Sequence, residues 1–153
     1  MRALAAVGLV LALLLGLGPS LPAAREQPLW IVTEGEASLP SEATPRSTPA
    51  LPQEGPVIRI ERPDVNTPVA PPFAVDVVFE PRAGGAPVKM ESLKITYLKV
   101  FELDVTDRFK PYIKGNRLFV ENANVPAGRH RLKIIIADQN GKLTAEVLQV
   151  AVK

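Results

Sequence analysis

The chain contains no cysteine in its 153 residues. That absence excludes disulfide staples, thiolate metal ligands, a cysteine nucleophile and lipid attachment at an N-terminal cysteine. A fold of this length must therefore be held by its apolar core. Histidine is nearly as scarce. His130 is the only one, which rules out a multi-histidine metal site within one chain. No serine sits in a glycine-flanked elbow, and no second histidine is present to complete a hydrolase triad. Aromatic residues make up 5% of the chain. They do not interleave with the basic positions as a nucleic-acid surface requires. No long stretch repeats its apolar residues at the helical period.

What is present begins with an address. Arg2 precedes an uncharged run of Leu, Ala, Val and Gly from Ala3 to Gly18, and Gly18-Pro19-Ser20 then breaks any helix. Small residues at Ser20, Ala23 and Ala24 offer cleavage points, so residues 1–24 read as a secretory signal peptide. The competing reading is a retained membrane anchor, which needs about 20 apolar residues and fewer glycines. Export implies a periplasmic or secreted location, with a membrane involved only if the segment is kept.

Charge and proline divide the remainder. From Arg25 to Pro56, Arg25 and Arg46 face five carboxylates, a net of −3; from Val57 to Lys153, fifteen Lys and Arg face eleven Asp and Glu, a net of +4. The first part also holds Pro28, Pro40, Pro45, Pro49, Pro52 and Pro56 among Ser, Thr and Ala. Such a composition buries too little apolar surface to offset its ordering entropy, so residues 25–56 read as a disordered proline-rich linker. Pro28-Leu29-Trp30-Ile31-Val32 resists that reading. It either docks onto its own domain, adds as a strand to a partner's sheet, or forms a transient apolar cluster.

From Val57 the apolar period is two. Val57–Glu61 reads as a first strand ended by Arg62-Pro63-Asp64, and Phe73–Glu80 as a second, closed by Pro81 and Gly84-Gly85. Leu93, Ile95 and Tyr97 alternate with Lys94, Thr96 and, further on, Lys99; Leu118 and Val120 alternate with Arg117, Phe119 and Glu121. Leu132, Ile134 and Ile136 alternate with Arg131, Lys133 and Ile135. The last strand, Leu143–Val152, changes phase, which a β-bulge near Val147–Leu148 would reconcile. Asp138-Gln139-Asn140-Gly141 marks a tight hairpin. Pro126-Ala127-Gly128 turns the chain into the preceding strand. Asp104-Val105-Thr106-Asp107 suits one helical turn, with Asp104 or Thr106 as its cap and Pro111 limiting its length. The expected core is Ile58, Ile60, Phe73, Val75, Val77, Phe79, Leu93, Ile95, Tyr97, Leu118, Val120, Leu132, Ile134, Ile136 and Val150.

About seven strands in a hundred residues specify an all-β Greek-key sandwich over residues 57–153. Leu103-Asp104-Val105-Thr106, Val125-Pro126-Ala127-Gly128-Arg129-His130 and Ile134–Gly141 together resemble bacterial immunoglobulin-like domains of secreted or cell-envelope proteins. The resemblance spans Pro56 to Lys153. It implies the immunoglobulin-like sandwich and names no ligand or reaction.

Each candidate site has a plain alternative. Asp104, Asp107, Asp138 and Asn140 offer oxygens for calcium, yet EF-hand spacing is absent and hairpin chemistry alone explains the last two. His130 is a possible base or metal ligand; at a strand start it more simply hydrogen-bonds a backbone carbonyl. Glu121 with Asp138 is a conceivable acid pair that no spacing recommends. Arg129, Arg131 and Lys133 alternate on one strand, and if Lys94 lies on its neighbour they form a cationic stripe for an anionic surface. The plain reading is a solvated face kept soluble. The sequence thus predicts no catalytic, metal or cofactor site and no nucleic-acid partner. It predicts a non-catalytic exported interaction or structural module with a protein or glycan partner of the cell envelope. The alternative is an accessory subunit that docks through the Trp30 segment or a sheet edge.

Overall fold

The computed structural model describes residues 28–41 and 50–153. The expected signal peptide, with residues 25–27 and 42–49 of the expected linker, lies outside the described residues.

Nine strands, two short α-helices and one 3-10 helix follow one another: β1 (Leu29–Trp30), α1 (Glu34–Ala37), β2 (Val57–Arg62), β3 (Phe73–Glu80), β4 (Val88–Leu98), β5 (Glu102–Asp104), α2 (Thr106–Phe109), the 3-10 helix (Lys110–Tyr112), β6 (Ile113–Lys114), β7 (Arg117–Asn124), β8 (Gly128–Asp138) and β9 (Leu143–Val152). One sheet runs β1-β7-β3-β2, with β6 also paired to β7; the other runs β5-β4-β8-β9. All pairings between these strands are antiparallel except β1 with β7. The chain crosses between the sheets after β3, after β5 and after β7. That is the Greek-key, immunoglobulin-like sandwich that the alternation predicts.

Alternation places the core as expected on β3, β4, β7 and β8. Phe73, Val75, Val77 and Phe79 meet Leu93, Ile95, Tyr97, Leu118, Val120, Leu132, Ile134, Ile136 and Val150 in one buried cluster. Ile58 and Ile60 are only partly buried against it, because β2 is the last strand of its sheet. The cluster also takes in Val105 and Phe109 from the α2 region.

Four expectations need correction. First, no bulge interrupts the last strand. The β8–β9 ladder runs in one register from Gly128↔Val152 to Ala137↔Leu143. Ala145 is buried on the outer side because residues 52–53 cover it: its N–H donates to Pro52 O at 2.9 Å and its carbonyl accepts from Gln53 Nε2 at 2.7 Å. Gly55 permits this approach, since a Cβ there would lie 2.2 Å from Lys142 O. Second, β4 starts at Val88, earlier than the apolar alternation shows, with a register shift between Lys89 and Lys94.

Third, Val105 caps α2, without a side-chain hydrogen bond. Asp104 Oδ1 still accepts from the Thr106 N–H at 2.9 Å, while the Thr106 hydroxyl bonds Ile95 of β4.

Fourth, residues 28–41 are folded onto the sandwich. Leu29 and Trp30 pair with Ala123 and Asn124, and Ile31 and Val32 enter the core at 1% and 0% exposure. Thr33 and Glu36 then form a reciprocal capping box at the start of α1. A four-residue helix gains little by itself. Its hold comes from outside: Arg108 donates to Ile31 O at 2.6 Å and grips both oxygens of Glu36 at 2.9 and 2.5 Å. Lys99 Nζ donates to Ala37 O, and the Val100 N–H to Pro40 O. Composition averages over this strap and misses two buried aliphatic residues backed by distant cations.

Candidate functional site

The turn between β7 and β8, the β4–β5 turn, the loop between β2 and β3, and the end of β9 all lie at one end of the sandwich. The register shows it. Tyr97 pairs with Leu132 near the end of β4, so the next residues of that strand lie beside Arg131 and Arg129. Val69 bridges Val152, and β1 pairs with the last residues of β7. A cleft of about 540 Å³ opens there, with Leu98, Arg129, Arg131, Gln149, Val65 and Thr67 among its walls.

His130 lies at the back of this cleft and is committed to the fold. Its Nε2–H donates to Pro126 O at 2.8 Å, because a carbonyl can only accept. Nδ1 therefore accepts from the Tyr97 hydroxyl at 2.9 Å. Burial pushes the imidazole below its ordinary pKa against the opposing pull of Pro126 O, and Lys99 adds to the depression. Both nitrogens are occupied, which matches the structural reading of this residue. Burial, and secondarily the Glu36 charge, raises the Tyr97 hydroxyl.

The other candidates separate. Asp138 is 3% exposed, and its Oδ1 accepts from the Asn140 and Lys142 N–H groups. It builds the hairpin, whose Gly141 takes φ +80°. Asp107 pairs with Lys110 at 2.5 Å, and two bonds from Thr106 hold Asp104 below the usual carboxylate range. Among the described residues no three Asp, Glu or His side chains gather as metal ligands. Glu121 and Asp138 belong to different sheets.

The basic residues divide as well. β4 and β8 are neighbours, with Lys94 opposite Ile135 and Thr96 opposite Lys133, so Lys94, Arg131 and Lys133 share an outer face. Lys133, however, is ion-paired with Glu102 on β5. Alternation cannot show this, because the partner lies 31 residues away. Arg59, Arg108 and Arg117 each meet a carboxylate, and Arg82 donates to two backbone carbonyls. Arg129 and Arg131 line the cleft with no such partner among the described residues. Trp30 is 50% exposed although Ile31 and Val32 beside it are buried.

No protein-family model matches the chain, and no curated protein matches it. Among solved structures it is similar to the PKD domain from the human VPS10 domain-containing receptor SorCS2, at 16% identity and TM-score 0.36, covering 89% of this chain and 96% of that one.

Proposed function

We propose that this protein is a non-catalytic, exported interaction module that engages a protein or glycan of the cell envelope through the outer face and end of its β5-β4-β8-β9 sheet. The observation that carries the reading is the cleft walled by Arg129 and Arg131, two cations that, among the described residues, meet no carboxylate as Arg59, Arg108 and Arg117 do. A charged group left unpaired at the rim of a cleft supplies attraction and orientation for an anionic partner. The signal-like residues 1–24 support a periplasmic or secreted setting. Affinity capture by the full-length protein from an envelope extract tests it. Specific retention of a protein or anionic glycan is expected. Turnover of a substrate with no retained partner would contradict it.

A second reading, an accessory subunit docking through Trp30, is favoured by the half-exposed indole on a two-residue strand. Trp30→Ala should weaken association while leaving the melting temperature within a degree or two. Strongly blue-shifted Trp30 emission in the isolated protein would count against it.

A further inference from the structure

Seven large apolar side chains are exposed among the described residues, and four of them stand at the cleft end: Trp30 (50%), Val65 (51%), Val100 (59%) and Phe101 (49%). Each comes from a different connection or strand end, apart from the adjacent pair Val100-Phe101 in the β4–β5 turn. The register places all four at the same end of the sandwich, with Val65 in the cleft wall and the other three outside it. β1 pairs beside Asn124, the β4–β5 turn lies next to Arg129 by the β4–β8 register, and Val65 lines the cleft with Arg129 and Arg131.

The charges lining the cleft are one-sided, with Lys99, Arg129 and Arg131 and no carboxylate. Arg62, Arg129 and Arg131 have no ion-pair partner among the described residues. Two carboxylates near the cleft are engaged by neighbours. Asp64 accepts from the Asn66 N–H and the Thr67 hydroxyl, and Glu102 holds Lys133. Lys99 is buried with its ammonium on Ala37 O and 5.4 Å from the Tyr97 ring centre, so it supports the strap and adds to the positive field.

The geometry points to this end as a docking surface for an acidic protein segment that also carries aliphatic side chains. The inference rests on the interaction-module reading and assigns that module's contact surface and its partner's chemistry. Exposed Trp and Phe at the same end as unpaired Arg is the composition of binding hot spots, where aromatic anchors fill pockets and guanidinium groups meet carboxylates bidentately. Strand addition is not the mode on the β9 edge. Residues 52–55 cover one end of that edge and Val69 the other, which confines the free stretch to the middle of the strand. Side chains from the loops therefore make the contacts.

The test is titration of the full-length protein with the peptide Leu-Glu-Leu-Asp-Leu-NH2, labelled with a fluorophore at its N-terminus, and its Gln/Asn counterpart, read by anisotropy and by Trp30 emission. The acidic peptide should bind about tenfold more tightly than the amide version. R129E/R131E should abolish that difference, F101S should weaken binding several-fold, and K114E, on β6 of the other sheet, should change it less than twofold. Unchanged melting temperatures would show that these exposed substitutions leave the fold intact. Equal binding of both peptides, no binding of either, or indifference to R129E/R131E overturns the proposal. So does co-sedimentation with phosphatidylglycerol vesicles that falls in R129E/R131E and F101S while the peptide stays unbound, which would assign the surface to lipid. Partner capture from extract that persists in R129E/R131E would leave the module reading standing and remove only this surface from it.

Discussion

Arg108 ties the strap to α2 through three hydrogen bonds. It holds the strap's backbone at Ile31 and its carboxylate at Glu36. The guanidinium, chiefly through its hydrogen bonds, lowers the Glu36 pKa from 4.5 to about 2. Glu36 is depressed in the folded state, so its contribution is complete above the unfolded value and is lost as pH falls through the folded one. Thermal melts from pH 5 down to 2 should show stability declining, and Glu36→Gln should flatten part of that decline. Arg108→Ala should cost about 1–3 kcal/mol, since it strands an acceptor and a carboxylate that are half out of water.

His130 titrates in a separate window. Its depressed pKa means the unfolded chain takes up the proton first, so its stabilising effect is full above about 6.5 and falls as pH drops towards the folded value. Denaturant midpoints measured from pH 7.5 to 5 should therefore fall, and His130→Leu should remove most of that slope. The same substitution strands the buried Tyr97 hydroxyl and should cost about 1–3 kcal/mol at pH 7. The plain role of His130 was legible in the sequence from its place after Pro126-Ala127-Gly128. Its second partner was not, because Tyr97 lies 33 residues earlier on a strand whose neighbour must first be known.

At the scale of elements, β8 anchors the sheet between β4 and β9. Ile134 faces the core at 2% exposure, and its neighbour Lys133 faces outward to Glu102. Ile134→Ala should cost about 2–5 kcal/mol through lost burial and the cavity left behind. Lys133→Ala should cost under about 1 kcal/mol, since its partner is a solvent-exposed carboxylate. Chemical denaturation of both variants checks the pair, and equal losses would mean that both faces of β8 are buried. Alternation made β3, β7 and β8 readable because each carries a run of alternating apolar residues: Phe73 to Phe79, Leu118 with Val120, and Leu132 to Ile136. It failed at β4 before Leu93, where Lys89, Met90, Glu91 and Ser92 carry no period. It misled at Leu143–Val152, where Ala145 is covered by residues 52–53 instead of being turned inward by a bulge. The cleft was half legible. Arg129 and Arg131 stood out by spacing, whereas Val65 joins them only through the topology.

At the scale of the molecule, two sheets leave two open flanks, and distant chain closes both. Residues 52–55 and Val69 lie along β9 on one flank. On the other the strap spans from β7 to α2 and the β4–β5 turn. It delivers Ile31 and Val32 between the sheets as a buried plug. Burying two aliphatic side chains contributes roughly 3–6 kcal/mol before ordering costs, enough to keep a short segment seated. Proline and charge composition hid this, because a two-residue strand and a four-residue helix have no period to detect. The most direct measurement is native-state mass spectrometry after limited proteolysis of the full-length protein at pH 7, with Arg108→Ala alongside. Residues 28–41 should remain with the resistant core, uncut or held non-covalently after cleavage elsewhere, and should be lost much faster in Arg108→Ala. A wild-type core that begins near Pro56 and has shed the strap would contradict the closed flank, and with it the placement of Trp30 at the cleft end.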